Sequence, residues 1–371
     1  MTSADTMYMS EALELAERGL WTTTPNPRVG CIIVAGEKVV GRGWHERAGS
    51  AHAEINALKQ AGDAARDATA YITLEPCNHQ GRTPPCTASL ISAGVGRVVF
   101  AATDPNPHVQ GSGAAKLAAA GIEVLGGVLA DEAQALNIGY EKRMRTGLPY
   151  VRCKLAMSLD GRTAMASGES KWITGVAARE DVQRLRARSC AVVTGIDTVL
   201  ADDPSLNVRA DELGVPGLES ESIRQPLRVI VDSRLRVPEN LKIFALPGKI
   251  VVATAQGSGD KSAQLSSATV EVKQFDDGSG AIDLKALLQD LADRDCNEIL
   301  IESGPTLAAS WLESGLVDEL IVYVAPKLMG ATARPLLDLS IESMSDAVEL
   351  ELISLERLGK DLRVCARPVE K

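Results

Sequence analysis

The chain has 371 residues, 45% of them hydrophobic and 24% charged, with a formal net charge of −10 at neutral pH. That length exceeds one ordinary core and favours two domains, while the acidic balance argues against a nucleic-acid partner, which needs a basic face to displace phosphate counterions. No apolar run reaches membrane-spanning length, Met1–Asp5 carries no leader, and seven cysteines spread singly make no disulfide framework, so a cytoplasmic protein acting on a small molecule is expected.

Apolar spacing predicts a helix over Met7–Leu20, then strands over Val29–Ala35 and Val39–Trp44 joined by Gly36-Glu37-Lys38. A helix from about Ala51 to Ala61, a strand over Ala70–Leu74 and a helix over Cys86–Ala93 follow. Strands are expected at Arg97–Ala101 and Ile122–Leu125. Ala130–Arg145 reads as one long helix, stopped by Gly147 and Pro149. Strands alternating with helices predict an α/β sheet covered by helices, closing a first domain over residues 1–147.

A second domain, residues 148–371, restarts the pattern. Strands are expected at Val151–Ala156, Ala191–Gly195, Leu227–Val231, Ile250–Ala253, Glu298–Ile301 and Glu319–Ala325. Helices are expected at Val176–Arg188, Leu284–Arg294 and Thr306–Glu313. Asp211–Gln225 and Gly257–Ser267, rich in Gly, Ser and Glu, read as surface loops.

The chemistry concentrates in the first domain. His52-Ala53-Glu54 opens a helix, and Pro76-Cys77 and Pro85-Cys86 follow an apolar strand. One imidazole and two thiolates supply three ligands of a tetrahedral zinc and leave a fourth position open, the mark of a catalytic rather than a structural site. Glu54, two residues beyond the first ligand, is placed to carry protons. The His-x-Glu…Pro-Cys…Cys arrangement is that of zinc deaminases acting on nucleobases. Eight residues separate the two cysteines instead of the usual two, and they include His79, a rival ligand. If His79 closed the site, the zinc would be purely structural; a free Glu54 beside an open position argues against that.

The second domain lacks a Gly-x-Gly-x-x-Gly turn. It offers instead the strand-to-helix junction Glu302-Ser-Gly-Pro305, where free amides could meet a phosphate. The end of another strand, Asp232-Ser233-Arg234, offers a hydroxyl and a guanidinium for a ribose phosphate. The first is a weak signal, since many strand-to-helix turns look similar, and the second could equally be a plain capped turn.

Together these residues carry a resemblance. Thr73-Leu-Glu-Pro-Cys-Asn-His-Gln-Gly-Arg-Thr-Pro-Pro-Cys86 resembles the zinc signature of the bacterial bifunctional riboflavin-biosynthesis deaminase/reductases. So do Pro25-Asn-Pro-Arg-Val-Gly30, Lys154-Leu-Ala-Met-Ser-Leu-Asp-Gly-Arg-Thr-Ala164, Ser170-Lys-Trp-Ile-Thr174, Asp202-Asp-Pro204 and Glu302-Ser-Gly-Pro-Thr306. The resemblance implies a cytidine-deaminase-like first domain and a dihydrofolate-reductase-like second one. It implies deamination of 2,5-diamino-6-ribosylamino-4(3H)-pyrimidinone 5′-phosphate at one zinc ion per chain, then NADPH-dependent reduction of the ribosyl group to ribityl.

Carried onto matching positions, the resemblance makes His52, Cys77 and Cys86 the zinc ligands and Glu54 the proton shuttle, with Asn26 and His45 gripping the pyrimidine. It gives Ala156, Trp172, Thr198, Asp202, Ser233 and the run Gly304, Pro305, Thr306, Leu307, Ala308, Ala309 and Ser310 to NADPH. Ser170, Arg186, Leu206, Arg209 and Glu302 would meet the substrate, with Lys154 or Asp202 assisting ring opening. A homo-oligomer is expected. The alternative is a tRNA-type nucleic-acid deaminase with an accessory domain, which the acidic charge and the reductase-like half oppose.

Overall fold

The computed structural model describes residues 1–78, 85–107, 110–214, 223–257 and 259–369; His79 lies outside them. Contacts divide the chain into Met1–Leu148 and Pro149–Lys371. The first unit contains α1 (Ser3–Glu17), β1 (Gly30–Ala35), β2 (Lys38–Trp44), α2 (Ala53–Ala61), β3 (Thr69–Leu74) and α3 (Cys86–Ser92). It continues through β4 (Arg97–Ala102), α4 (Ser112–Ala119), β5 (Glu123–Gly126), α5 (Ala130–Leu136) and α6 (Ile138–Thr146). The sheet order is β2-β1-β3-β4-β5, antiparallel across β2-β1-β3 and parallel across β3-β4-β5.

Alternation along the strands divides the core between two faces. Cys31, Ile33, Ile72 and Val98 pack with Ala53, Ala57, Leu90 and Leu117, whereas Ile32, Val34, Tyr71 and Val99 pack with Met9, Ala12 and Leu15. The result is three layers, helices on both sides of one sheet. Glycines set how close those layers come. A Cβ at Gly30 would lie 1.9 Å from Ala12 O, and at Gly43 2.3 Å from Ala53 O. Gly41 meets Ala57 O in the same way, so the small residues Ala53, Ala57 and Ala61 seat α2 directly on the backbone of β2.

Several elements differ from the sequence reading. α1 starts at Ser3, because Thr2 and Asp5 form a reciprocal capping box. The expected long helix over 130–145 breaks at Asn137, whose amide turns away to bond both N–H and C=O of Arg28. α4 was not foreseen; it follows Gly111, which lies in the left-handed region.

The second unit contains β6 (Tyr150–Ser158), β7 (Arg162–Ala164), α7 (Val176–Arg188), β8 (Ala191–Gly195), α8 (Ile196–Asp202), β9 (Leu227–Val231) and α9 (Lys242–Ala245). After these come β10 (Ile250–Thr254), α10 (Asp260–Leu265), β11 (Val270–Gln274), α11 (Leu284–Asp293), β12 (Glu298–Glu302) and α12 (Pro305–Glu313). The chain finishes with β13 (Glu319–Ala325), β14 (Arg334–Pro335), β15 (Leu350–Leu358) and β16 (Asp361–Pro368). Nine strands lie in the order β11-β10-β9-β8-β12-β6-β13-β16-β15. Pairing is parallel from β11 through β13 and antiparallel at β13–β16 and β16–β15, so β16 runs against the other strands.

From β6 the chain steps past one strand position to β8 and runs outward to β11; it then returns to place β12 in the gap. Strand order therefore reverses around β8, β12 and β6, and the carboxyl ends of such strands form the ligand crevice of open parallel sheets. On one sheet face Val192, Ile230, Val252, Leu300 and Tyr323 pack with Leu185 of α7 and Val199 of α8. Of the two expected loops, Gly257–Ser267 contains the short α10, and residues 215–222 of the other lie outside the described residues. The β15–β16 hairpin was missed because charges are interleaved with its apolar residues, and most of β15 is exposed.

Gly43→Ala should lower stability by about 1–3 kcal/mol, the usual penalty for overpacking, because the added methyl meets backbone rather than a movable side chain. Calorimetric unfolding of the full chain checks this; an unchanged melting temperature would mean that α2 moves off the sheet freely.

Candidate active site

Three chain segments bring the soft donors of the first unit together. His52 is the N-cap residue of α2, Cys77 lies three residues beyond β3, and Cys86 is the first residue of α3. Their ligand atoms all lie within 4.8 Å of one another. His52 Nδ1 is 3.2 Å from Cys86 Sγ and 3.7 Å from Cys77 Sγ, and the Cys86 N–H donates to Cys77 Sγ at 3.4 Å. The hydrogen bond from Cys86, then that from His52, draws Cys77 down to about 4, while the same sulfur–sulfur bond pushes Cys86 upward. Two sulfurs and one imidazole nitrogen thus face one another, and this donor set fits zinc, which is bound by cysteine in its thiolate form.

Glu54 sits in the first turn of α2, buried beside this cluster. Burial raises its pKa, opposed by the charge of His52, so the carboxyl is tuned toward exchanging a proton rather than remaining a fixed anion. His45 follows β2 and is also buried; its Nδ1 lies 3.1 Å from Ala51 O and its Nε2 3.0 Å from Asn26 Nδ2. The His45 and His52 rings meet edge to face at 5.5 Å. Asn26, His45, His52 and Glu54 are therefore one connected group around the three donors.

Glu75 was not singled out from the sequence. Buried between β3 and Pro76-Cys77, its carboxylate accepts from the N–H groups of Asp104 (3.4 Å), Gly111 (3.0 Å), Gly113 (3.0 Å) and Ala114 (3.1 Å). Asn78 adds a bond to Ser112 O at 3.4 Å and accepts one from Thr87 of α3 at 3.2 Å. A carboxylate trapped between an apolar strand and a Pro-Cys step was the signal available.

In the second unit, Lys154 of β6 and Glu302 of β12 are register partners. Arg186 of α7 grips both Glu302 oxygens, at 2.5 and 2.9 Å, and donates to Asn207 O at 3.2 Å. The Glu302 pKa is lowered despite its burial, because the Arg186 charge and hydrogen bonds outweigh desolvation. Burial lowers Lys154, with Glu302 opposing. Thr198 Oγ1 accepts from Gly304 N at 3.1 Å, tying α8 to the start of α12. Lys154, Ala156, Arg186, Thr198, Glu302 and Gly304 thus gather at the strand-order reversal.

Most of the other expected residues have partners of their own. The Leu206 side chain is in the core, leaving only its backbone for a ligand. Arg209 pairs with Glu212 at 2.6 Å. Trp172 is 63% exposed, stacks under Arg179 at 4.7 Å, and accepts from Lys327 through its carbonyl. Asp202 pairs with Lys171 at 3.4 Å, next to Ser170. Ser233 follows β9 and Arg234 is exposed, with no ion pair among the described residues. Asp160, inside the motif quoted above, accepts from Met329 N and Gly330 N and thereby anchors the segment after β13.

Residues 2–102 match the cytidine and deoxycytidylate deaminase zinc-binding region, and residues 149–364 match the RibD C-terminal domain. Riboflavin biosynthesis protein RibD of Escherichia coli is 49% identical over 362 residues, covering 96% of this chain and 98% of that protein. The Haemophilus influenzae protein of the same name is 46% identical, covering 99% and 98%. The structure of Acinetobacter baumannii RibD superposes with a TM-score of 0.92 at 48% identity, covering 99% of both chains. A Thermotoga maritima diaminohydroxyphosphoribosylaminopyrimidine deaminase/5-amino-6-(5-phosphoribosylamino)uracil reductase superposes at 0.87 with 31% identity, again over 99% of each chain. Along its whole length the chain belongs to the RibD family, the bifunctional deaminase/reductases of riboflavin biosynthesis.

Proposed function

We propose that the first unit deaminates 2,5-diamino-6-ribosylamino-4(3H)-pyrimidinone 5′-phosphate, and that the second reduces the ribosyl group of the resulting aminouracil with NADPH. The observation that carries the reading is the convergence of His52, Cys77 and Cys86 around one point beside the buried carboxyl of Glu54. His52, Cys77 and Cys86 would hold zinc, which supplies Lewis acidity that makes water nucleophilic near neutral pH. Glu54 would carry a proton from the attacking water to the departing amine, a role suited to a carboxyl whose pKa burial has raised.

NADPH would supply the hydride; the chain's task is to hold and orient it. The crevice around β8, β12 and β6 fits such a group. Its α12 begins with Gly304 and Pro305, and Ser303 Oγ and Thr194 Oγ1 are buried there without hydrogen-bond partners among the described residues. Arg186 already belongs to Glu302, so it shapes the substrate pocket through that pair. A small phosphorylated pyrimidine leaves nucleic acid no role in this reading.

The chain would work as a homo-oligomer through β15. This edge strand exposes Leu350, Leu352 (61%), Ile353 and Leu355 (58%), an apolar patch of the kind that marks an interface. A two-fold antiparallel pairing of β15 with a second copy about Ser354 would set Glu351 against the copy's Arg357 twice, a self-complementary arrangement.

Glu54→Gln should retain zinc but lose ammonia release by roughly 10²-fold or more; metal analysis and ammonia assay of the same sample check this, and undiminished turnover would sink the role. Ser233→Ala with Arg234→Ala should weaken NADPH roughly ten- to a hundred-fold and spare NADH. Steady-state reduction with each cofactor decides, and equal losses would place 2′-phosphate recognition elsewhere. Leu352→Glu with Leu355→Glu should convert the oligomer to monomer in sedimentation velocity; an unaltered sedimentation coefficient would remove β15 from the interface.

A further inference from the structure

Two cysteines of the second unit, outside the donor cluster, also meet. Cys190 immediately precedes β8 and Cys296 lies two residues before β12, so both stand at the amino ends of neighbouring parallel strands. The crevice is at the carboxyl ends. Both backbones are held: Cys190 N–H donates to Glu298 O at 2.7 Å, and Cys296 N–H to Leu291 O at 3.0 Å, at the end of α11. Cys190 Sγ accepts from the N–H groups of Asn297 at 3.0 Å and Glu298 at 3.4 Å, the two amides that follow Cys296. The Cys296 thiol donates to the same sulfur. Each residue is 5% exposed.

Three donors converging on one sulfur suit a thiolate, whereas a cysteine packed only among apolar groups is inert. Burial opposes the charged form, but the Cys296 bond, the Arg224 charge and the Glu298 amide outweigh it and draw Cys190 down to about 6. At Cys153 and Cys365 burial wins and pushes the thiol up.

We propose that Cys190 and Cys296 are a modification site, a dithiol that hydrogen peroxide converts reversibly to a disulfide stapling the base of β8 to that of β12. Peroxide is an oxidant small enough for so buried a sulfur. The Cys190 thiolate attacks one peroxide oxygen and breaks the O–O bond; it becomes a sulfenic acid, and the departing hydroxide takes up the proton that Cys190 had released. The Cys296 sulfur then attacks the Cys190 sulfur, the S–O bond breaks, and hydroxide leaves with the Cys296 proton as water. Two thiols lose two electrons in all, and the peroxide ends as two waters. The link closes a loop of over a hundred residues in the unfolded chain, which favours the folded state. This chemistry uses neither the donor cluster nor the crevice.

The test uses the full-length, zinc-loaded protein, in which bound metal shields Cys77 and Cys86. After peroxide treatment, denaturing alkylation and proteolysis, mass spectrometry should find the Cys190 and Cys296 peptides joined as the major form, lighter by two hydrogens than their sum. Dithiothreitol should separate them. The oxidised protein should melt at a higher temperature than the reduced one. Cys296→Ser should halt the reaction at a sulfenic acid on Cys190, trapped by dimedone; label on another cysteine instead would overturn the assignment of the attacking sulfur. Recovery of both wild-type residues as unlinked thiols, or of Cys190 as an unlinked sulfinic acid, would overturn the proposal, and this readout needs no variant to fold. A linked protein that melts no higher than the reduced one would overturn the stapling role.

Discussion

The first unit depends on backbone touching backbone. Gly41 and Gly43 of β2 let the Ala53, Ala57 and Ala61 side of α2 lie against the strand with no side chain between them. This contact locates the start of α2, and His52 and Glu54 sit there. Glycine is needed here for closeness, not for its dihedral freedom. Because α2 is held by main-chain atoms on one side, the imidazole and the carboxyl inherit the rigidity of the sheet, which a preorganised site requires.

The second unit is organised by charge at the two ends of one buried strand. β12 begins with Glu298 and ends with Glu302, with three apolar residues between them. At the first end Glu298 is bound by Arg152 and Arg188, and Arg152 also reaches Glu319 at 2.9 Å. At the second end Glu302 is bound by Arg186 and faces Lys154. Removing one partner from a buried pair costs about 3–5 kcal/mol, whereas an apolar replacement of the whole pair can be neutral. These pairs therefore specify register: a slip of β12 by one residue would strand both glutamates. The end near Glu298 holds strands together, and the end near Glu302 serves the crevice.

How much of this was legible in the sequence follows from which forces act locally. Strand runs such as Ala191–Gly195 and Glu319–Ala325 are continuous apolar segments bounded by breakers, and the structure has them at those residues. The break at Asn137 was invisible because it depends on a bond to Arg28, over a hundred residues away in sequence. The approach of His52, Cys77 and Cys86 could be anticipated because each opens or follows an element whose pattern was plain. The Glu75 anchor left only the signal of a carboxylate between an apolar strand and a Pro-Cys step, since its partners are backbone amides with no side-chain signature. Likewise, Arg186 and Arg209 were expected to meet the substrate, but the sequence could not show that each already holds a carboxylate.

Glu75 also links the energetics of two surfaces that look separate. Its carboxylate joins the Pro76-Cys77 turn to the amides of Asp104, Gly111, Gly113 and Ala114, and a Cβ at Gly113 would collide with Pro76 O at 2.0 Å. Those amides cannot exchange their hydrogens with solvent unless that bond set opens, and opening it releases the turn that carries Cys77. Local unfolding at the two places is one event with one free energy. Loading the donor cluster with metal would therefore slow hydrogen exchange at the start of α4, a segment that contributes none of the three donors.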